Sequence, residues 1–271
     1  FLSGTSAINA TGNTLDNLLR GNTANNTLNG GGGNDLLEGG AGNDTLTDTA
    51  GAALFNGGAG TDTITGGAAA EIFLGGQGND TYTTAGGNDV ILFNKGDGQD
   101  TFAAGSTGSD TLSLGGSGLS YADLTLSKSS SDLILKVGTT DQITFKDWYA
   151  ATPSKPVTRL QVMAEAMAGF TQGGSNPLMN QKMENFNFTG LVSAFDTVLA
   201  AIAGQAAAQL LEQWLAVVVR LPQAEAFDRH GQRQLQVGWQ GSRYVARRLV
   251  DAQGRDVQGS HLQPAMQQVG G

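Results

Sequence analysis

GGGGNDLLE (30–38), GGAGNDTLT (39–47), DTAGAALFN (48–56), GGAGTDTIT (57–65), GGAAAEIFL (66–74) and GGQGNDTYT (75–83) are consecutive nine-residue segments in one register. Four of them fit G-G-x-G-x-D-x-U-x, where U is a large apolar residue. Asp35, Asp44, Asp62, Asp80 and Asp89 are separated by multiples of nine, and Ala53 and Glu71 fill the intermediate slots. Degenerate copies extend the array on both sides, at 12–20 and 21–29 with Asn17 and Asn26, and at 84–92. Two further copies, ending near Phe102 and Leu112, follow insertions of two residues and one. Such self-similarity means that each unit is too small to bury its own apolar face and must stack on its neighbours.

The residue types say how. Glycines at positions one, two and four permit the positive φ and close backbone approach of a tight turn. Positions seven to nine are short strands rich in β-branched and aromatic residues. Position eight, as in Leu37, Leu46, Phe55, Ile64, Phe73, Tyr82 and Ile91, is expected to point inward from every strand. Two nonapeptides then make one 18-residue turn of a parallel β-roll.

The nonapeptide resembles the haemolysin-type calcium-binding repeat of RTX proteins, bacterial proteins exported by type I systems. The resemblance covers residues 12–112 and implies a Ca2+-binding solenoid, with several ions held between successive turns. In that family position six of both turns contributes carboxylate. Carbonyls come from positions two and four of the earlier turn and positions one and three of the later one. Carried over, one site uses Gly40, Gly42 and Asp44 with Gly57, Ala59 and Asp62, and the next uses Gly58, Gly60 and Asp62 with Gly75, Gln77 and Asp80. Asp80 with Asp100 is the next pair on that face, with its register expected to be shifted by the two-residue insertion. On the opposite face the series Asn17, Asp35, Ala53, Glu71, Asp89 lacks a carboxylate at Ala53, and Glu71 is one methylene longer than Asp. Glu71 with Asp89 is the remaining pair there. The expectation is a lopsided roll, with one filled ladder and one partial ladder.

Composition sets the other bounds. The chain has 271 residues, 41 Gly, 5 Pro, no Cys and a formal net charge of −9. Collagen is excluded because glycine does not recur every third residue, and disulfide scaffolds and thiolate metal sites are excluded by the lack of cysteine. Net acidity argues against nucleic acid as the main partner. GGxG segments that cradle phosphate need a Lys and a following helix, which this register does not offer. The chain opens at Phe1 without a signal-peptide pattern, which predicts a fragment of a longer protein. An enzyme is not expected within it. His230 and His261 are the only histidines, neither lies in H-E-x-x-H, and G-x-S-x-G is absent.

Four regions follow: a mainly β parallel β-roll over 1–113, a β-rich cap over 114–150, a helical region over 151–222, and a basic β-rich tail over 223–271. The cap is read as strands turning at SKSSSD and VGTTDQ, with Trp148 and Tyr149 covering the open end of the roll. Leu160, Met163, Ala164 and Met167 have helical spacing, as do apolar residues through 191–219, where Asp and Gln interruptions argue for an amphipathic helix and against a membrane span. QLQVGW (234–239) and SRYVARRLVDAQGRDV (242–257) read as strands joined at Gly241, with a further turn at Gln253–Gly254. Seven Arg after residue 219 depart from the composition of type I secretion signals. The resemblance implies a secreted, extracellular or cell-surface chain that meets the type I apparatus and then calcium. The alternative is a calcium-dependent surface-layer, adhesin or filament subunit, for which self-association or a cell-surface target is the partner.

Overall fold

A computed structural model describes residues 4–206, 219–220, 236–240 and 243–247. Each nonapeptide folds as a strand followed by a turn. The array gives β1 (Ala10–Thr11), β2 (Leu18–Arg20), β3 (Thr27–Asn29), β4 (Asp35–Ala41), β5 (Thr45–Thr47) and β6 (Ala53–Ala59). It continues with β7 (Thr63–Thr65), β8 (Ile72–Gln77), β9 (Thr81–Thr83), β10 (Val90–Asn94), β11 (Gln99–Phe102) and β12 (Asp110–Gly115). Odd strands pair in parallel within one sheet and even strands within the other. The register advances by one 18-residue turn, Leu28 opposite Leu46 opposite Ile64 in the first sheet, and Leu37 opposite Phe55 opposite Phe73 in the second. This is the parallel β-roll expected from the repeat.

Position eight builds the core. Leu28, Leu37, Leu46, Phe55, Ile64, Phe73 and Ile91 are all fully buried between the two sheets. Phe55 stacks on Phe73 with ring centroids 5.1 Å apart, and Tyr82, Phe102 and Phe145 continue the aromatic column. The outer surfaces differ. Thr27, Thr45, Thr63, Thr81 and Thr101 align on one sheet. Leu18, Leu36, Leu54, Ile72 and Val90 align on the other.

Beyond the array, β13 (Leu124–Ser129), β14 (Asp132–Val137) and β15 (Asp141–Phe145) form an antiparallel meander with turns where the sequence placed them. β15 pairs in parallel with β11, so the meander prolongs the first sheet. Trp148 is buried and packs edge-on against Phe145 and Phe188, in the core beyond the last turn of the roll.

The helix expected around 157–170 is not formed. Residues Val157–Val162 are a strand, β16, with a single 3-10 turn at Ala164–Ala166 behind it. The open edge of β12 explains this: β16 pairs with it in parallel, setting Leu160 opposite Leu112 in the core column. Burying an exposed strand edge outweighs a weak helical pattern. β17 (Glu184–Asn187) closes that edge by antiparallel pairing with β16.

The second helix begins earlier than its pattern suggested. α1 spans Phe188–Ala206, capped by Asn187, whose Oδ1 accepts the Gly190 amide at 2.9 Å. Phe188, Leu191, Val192 and Phe195 form its buried stripe. β18 (Val219–Arg220) then pairs antiparallel with β13, so the helical reading does not hold at 219. The residues between, 207–218, lie outside the described residues. β19 (Gln236–Gln240) and β20 (Arg243–Arg247) form the hairpin expected at Gly241, and the second expected turn at Gln253 lies outside the described residues. No helix among the described residues is long and apolar enough to cross a membrane.

Candidate metal centre

Each turn of the roll brings its position-six side chain inward at the edge between the sheets. Asp44, Asp62, Asp80 and Asp100 stack along one edge, and Asp35, Glu71, Asp89 and Asp110 along the other, all buried. On the first edge the stack is tied by a repeated bond. The amide of Asn26 donates to Asp44 Oδ1 at 2.6 Å, Asp44 to Asp62 at 2.7 Å, Asp62 to Asp80 at 2.8 Å and Asp80 to Asp100 at 2.9 Å. The insertion before Asp100 is therefore looped out in the turn and the ladder keeps its register.

That bond uses one oxygen of each carboxylate. The other oxygen, Oδ2 of Asp44, Asp62 and Asp80, is buried without a hydrogen-bond partner. A buried carboxylate with half of its acceptors unused is costly unless something positive meets it. Burial accordingly pushes the carboxyl of Asp62 up to about 6 and those of Asp80 and Asp100 up to about 7. The first edge ends at Asp100, whose Oδ2 accepts the Tyr82 hydroxyl at 2.6 Å. The repeat pattern assigns Tyr82 only to the core, so this terminating bond is not legible from it.

Glycine makes room beside each free oxygen. A Cβ on Gly57 would lie 2.3 Å from Asp62 Oδ2 and 2.6 Å from the Gly75 carbonyl oxygen. Gly39 has the same relation to Asp44 Oδ2 and the Gly57 carbonyl, at 2.4 and 2.6 Å. Gly39 and Gly57 thus each border a cradle formed by their own repeat's carboxylate and the next turn's carbonyl. Position two holds the turn open: Gly58 has φ +106°, and a Cβ there would meet the Gly40 carbonyl at 2.0 Å.

The candidate ligands sit at these turns. Gly40 and Gly58 are paired across strands β4 and β6, as are Ala41 and Ala59; Gly58 and Ala59 pair in turn with Gly76 and Gln77. The Ala59 and Gln77 carbonyls accept the amides of Gly42 and Gly60, both at 2.8 Å, leaving each a second lone pair. Among the described residues no three acidic, His or Cys side chains converge on one point. Any ion here draws on paired carboxylates and main-chain carbonyls. Free carboxylate oxygens, carbonyls and no nitrogen or sulfur donor form a hard-oxygen set, which fits calcium.

The second edge departs from expectation at its gap. Asn17 donates to Asp35 Oδ1 at 2.8 Å, Glu71 to Asp89 at 2.8 Å and Asp89 to Asp110 at 3.1 Å. At Ala53 no carboxylate is offered, and the Asp35 amide turns to the Ala52 carbonyl at 3.1 Å. Yet Asp48, at position one of that same repeat, is fully buried, and its Oδ2 lacks a partner, as do Asp35 Oδ2, both Glu71 oxygens and Asp89 Oδ2. The position-six series alone does not reveal Asp48. The signal that finds it is the loss of the acid at six together with its gain at one in the same nonapeptide.

A family model described as RTX calcium-binding nonapeptide repeat (4 copies) matches residues 11–46, 48–82 and 56–91. No curated protein matches the chain. Among solved structures the chain is similar to the extracellular lipase LipA from Serratia marcescens, at 17% identity and a TM-score of 0.27, covering 54% of this chain and 38% of the lipase. Residues 11–91 of this chain are RTX calcium-binding nonapeptide repeats, wound as a parallel β-roll.

Proposed function

We propose that the chain is a calcium-loaded folding module of a larger type I-secreted bacterial protein, unfolded where calcium is scarce and folded outside the cell. The observation that carries this reading is the row of buried, unpartnered Oδ2 atoms of Asp44, Asp62 and Asp80. Calcium supplies the positive charge that those oxygens lack. The chain's own residues do the rest: Oδ1 sets the register between turns, the glycines leave the cradles open, and position eight supplies the apolar core. Without an ion, stacked buried carboxylates repel and glycine-rich backbone gains entropy on unfolding. Binding free energy is then also folding free energy. A chain that stays extended until export suits threading through a secretion apparatus. In this reading the roll is structural, and any catalytic work belongs to another part of the larger protein.

The test is hydrodynamic. The full chain is expected to have the radius of an unfolded polymer in chelator and that of a compact particle in millimolar calcium. A compact particle in both conditions rejects export-coupled folding.

A second reading, assembly into a surface layer, adhesin or filament, draws on one observation. Leu18, Leu54 and Ile72 are exposed at 48%, 41% and 39% in one row of the outer sheet face. Calcium-dependent growth of large species in sedimentation favours it, and a monomer at every calcium level counts against it.

A further inference from the structure

Position one is glycine in each nonapeptide from 12 to 83 except 48–56, where it is Asp48. The cost of a side chain at this position is visible at its neighbours. The Cβ directions at Gly39, Gly57 and Gly75 all run onto Oδ2 of the same repeat's aspartate, within 2.4 Å. Side chains at positions one and six therefore compete for one volume. In 48–56 the two residue types are exchanged, acid at one and alanine at six, so the volume is filled once, from the other side.

Asp48 reaches the ladder from there. Its Oδ1 accepts the Ala50 amide at 3.2 Å, which fixes the carboxylate, and its Oδ2 is buried without a partner. A point beside Gly30, where a Cβ would stand, lies 2.1 Å from Asp35 Oδ2 and 2.7 Å from Asp48 Oδ2. The equivalent point beside Gly39 on the first edge is bordered by Asp44 Oδ2 and the Gly57 carbonyl. Asp48 thus puts a carboxylate oxygen where the regular repeat puts a position-one carbonyl. Thr84, at position one of 84–92, makes a comparable reach between turns: its hydroxyl donates to Asp110 Oδ2 at 2.9 Å.

Two free carboxylate oxygens on adjacent turns, both buried and facing the same cradle, are stable together only when a cation lies between them or one of them is protonated. We propose that Asp48 is a calcium ligand that replaces the carboxylate missing at Ala53, so that an ion sits between Asp35 and Asp48 and the second ladder is not interrupted there. The proposal rests on the reading that the roll loads calcium.

Calcium bound per full-length chain, counted by equilibrium dialysis and paired with circular dichroism, tests it. Asp48→Asn is expected to fold in calcium and bind one ion fewer than the parent. An unchanged count overturns the proposal. A second variant, Asp48→Gly with Ala53→Asp, restores the regular repeat and decides the matter even where Asp48→Asn does not fold. Because a position-six carboxylate serves the sites on both sides of it, the native and restored repeats are compared in a Glu71→Ala background. There the carboxylate introduced by Ala53→Asp has no carboxylate partner on the following turn. Equal counts in that background support Asp48 as the native stand-in, and one extra ion in the restored repeat means the native repeat held none. A parent that binds no calcium rejects the folding-module reading itself, which is a separate failure.

Discussion

The amide of Asp44 donates to Oδ1 of Asp62 at 2.7 Å, one full turn further along the roll. That bond divides the Asp62 carboxylate into an oxygen that sets the register and an oxygen that is free for a cation. Asn retains the first function and loses the charge needed for the second, whereas Ala loses both. Calcium midpoints for folding are therefore expected to rise in the order parent, Asp62→Asn, Asp62→Ala. Glu71→Ala is expected to shift the midpoint less than Asp62→Ala, because Glu71 holds no amide of the preceding turn in the way that Asp62 holds that of Asp44. Calcium titrations followed by circular dichroism measure the order, and equal shifts for Asp62→Ala and Glu71→Ala contradict the assignment of the stronger ladder.

Glycine substitutions separate cradle from loop. Gly57→Ala sets a methyl 2.3 Å from Asp62 Oδ2 and is expected to abolish the calcium-induced transition at concentrations that fold the parent. Gly86→Ala meets nothing closer than the Thr107 hydroxyl at 3.5 Å and is expected to leave the midpoint within about twofold. A tolerant Gly57 variant contradicts the cradle.

Tyr82→Phe keeps the aromatic column but removes the donor to Asp100 Oδ2, exposing a buried carboxylate oxygen that has no other partner. Urea unfolding at saturating calcium is expected to show a loss of about 1–3 kcal/mol, the cost of one buried acceptor left unsatisfied. No loss means that the first ladder does not end on this hydroxyl.

Acid is expected to substitute partly for calcium. In the ion-free roll, burial is the largest cause raising Asp62 to about 6 and Asp80, Asp89, Asp100 and Asp110 to about 7, from an ordinary 3.8. A carboxyl raised in the fold favours the fold while it is protonated. That contribution is complete below about pH 4 and is lost as pH climbs through 6 to 7. Chelated chain is thus expected to gain strand signal on going from about pH 8 to about pH 5, and calcium midpoints are expected to rise as pH falls. A chelated chain with the same spectrum across that range contradicts the buried ladders.

The period, the inward position eight and the first ladder were legible in the sequence because each depends on one residue type recurring at a fixed interval. Asp48 was not, because its role depends on the direction of a position-one Cβ, which only the stacked turns define. The strand at Val157–Val162 was missed for a different reason. Leu160 and Met163 fit a helical spacing, but the free edge of β12 decides their conformation, and that edge exists only after the roll has formed. Tyr82 reads correctly as core and incompletely as chemistry, since its hydroxyl partner lies on the following turn, beyond an insertion.

The most direct measurement is far-UV circular dichroism of the full chain through a calcium titration, from chelator to about 10 mM, a range that spans weak extracellular sites. The account predicts a cooperative gain of strand signal, reversed when chelator is restored. A spectrum that does not change with calcium contradicts it.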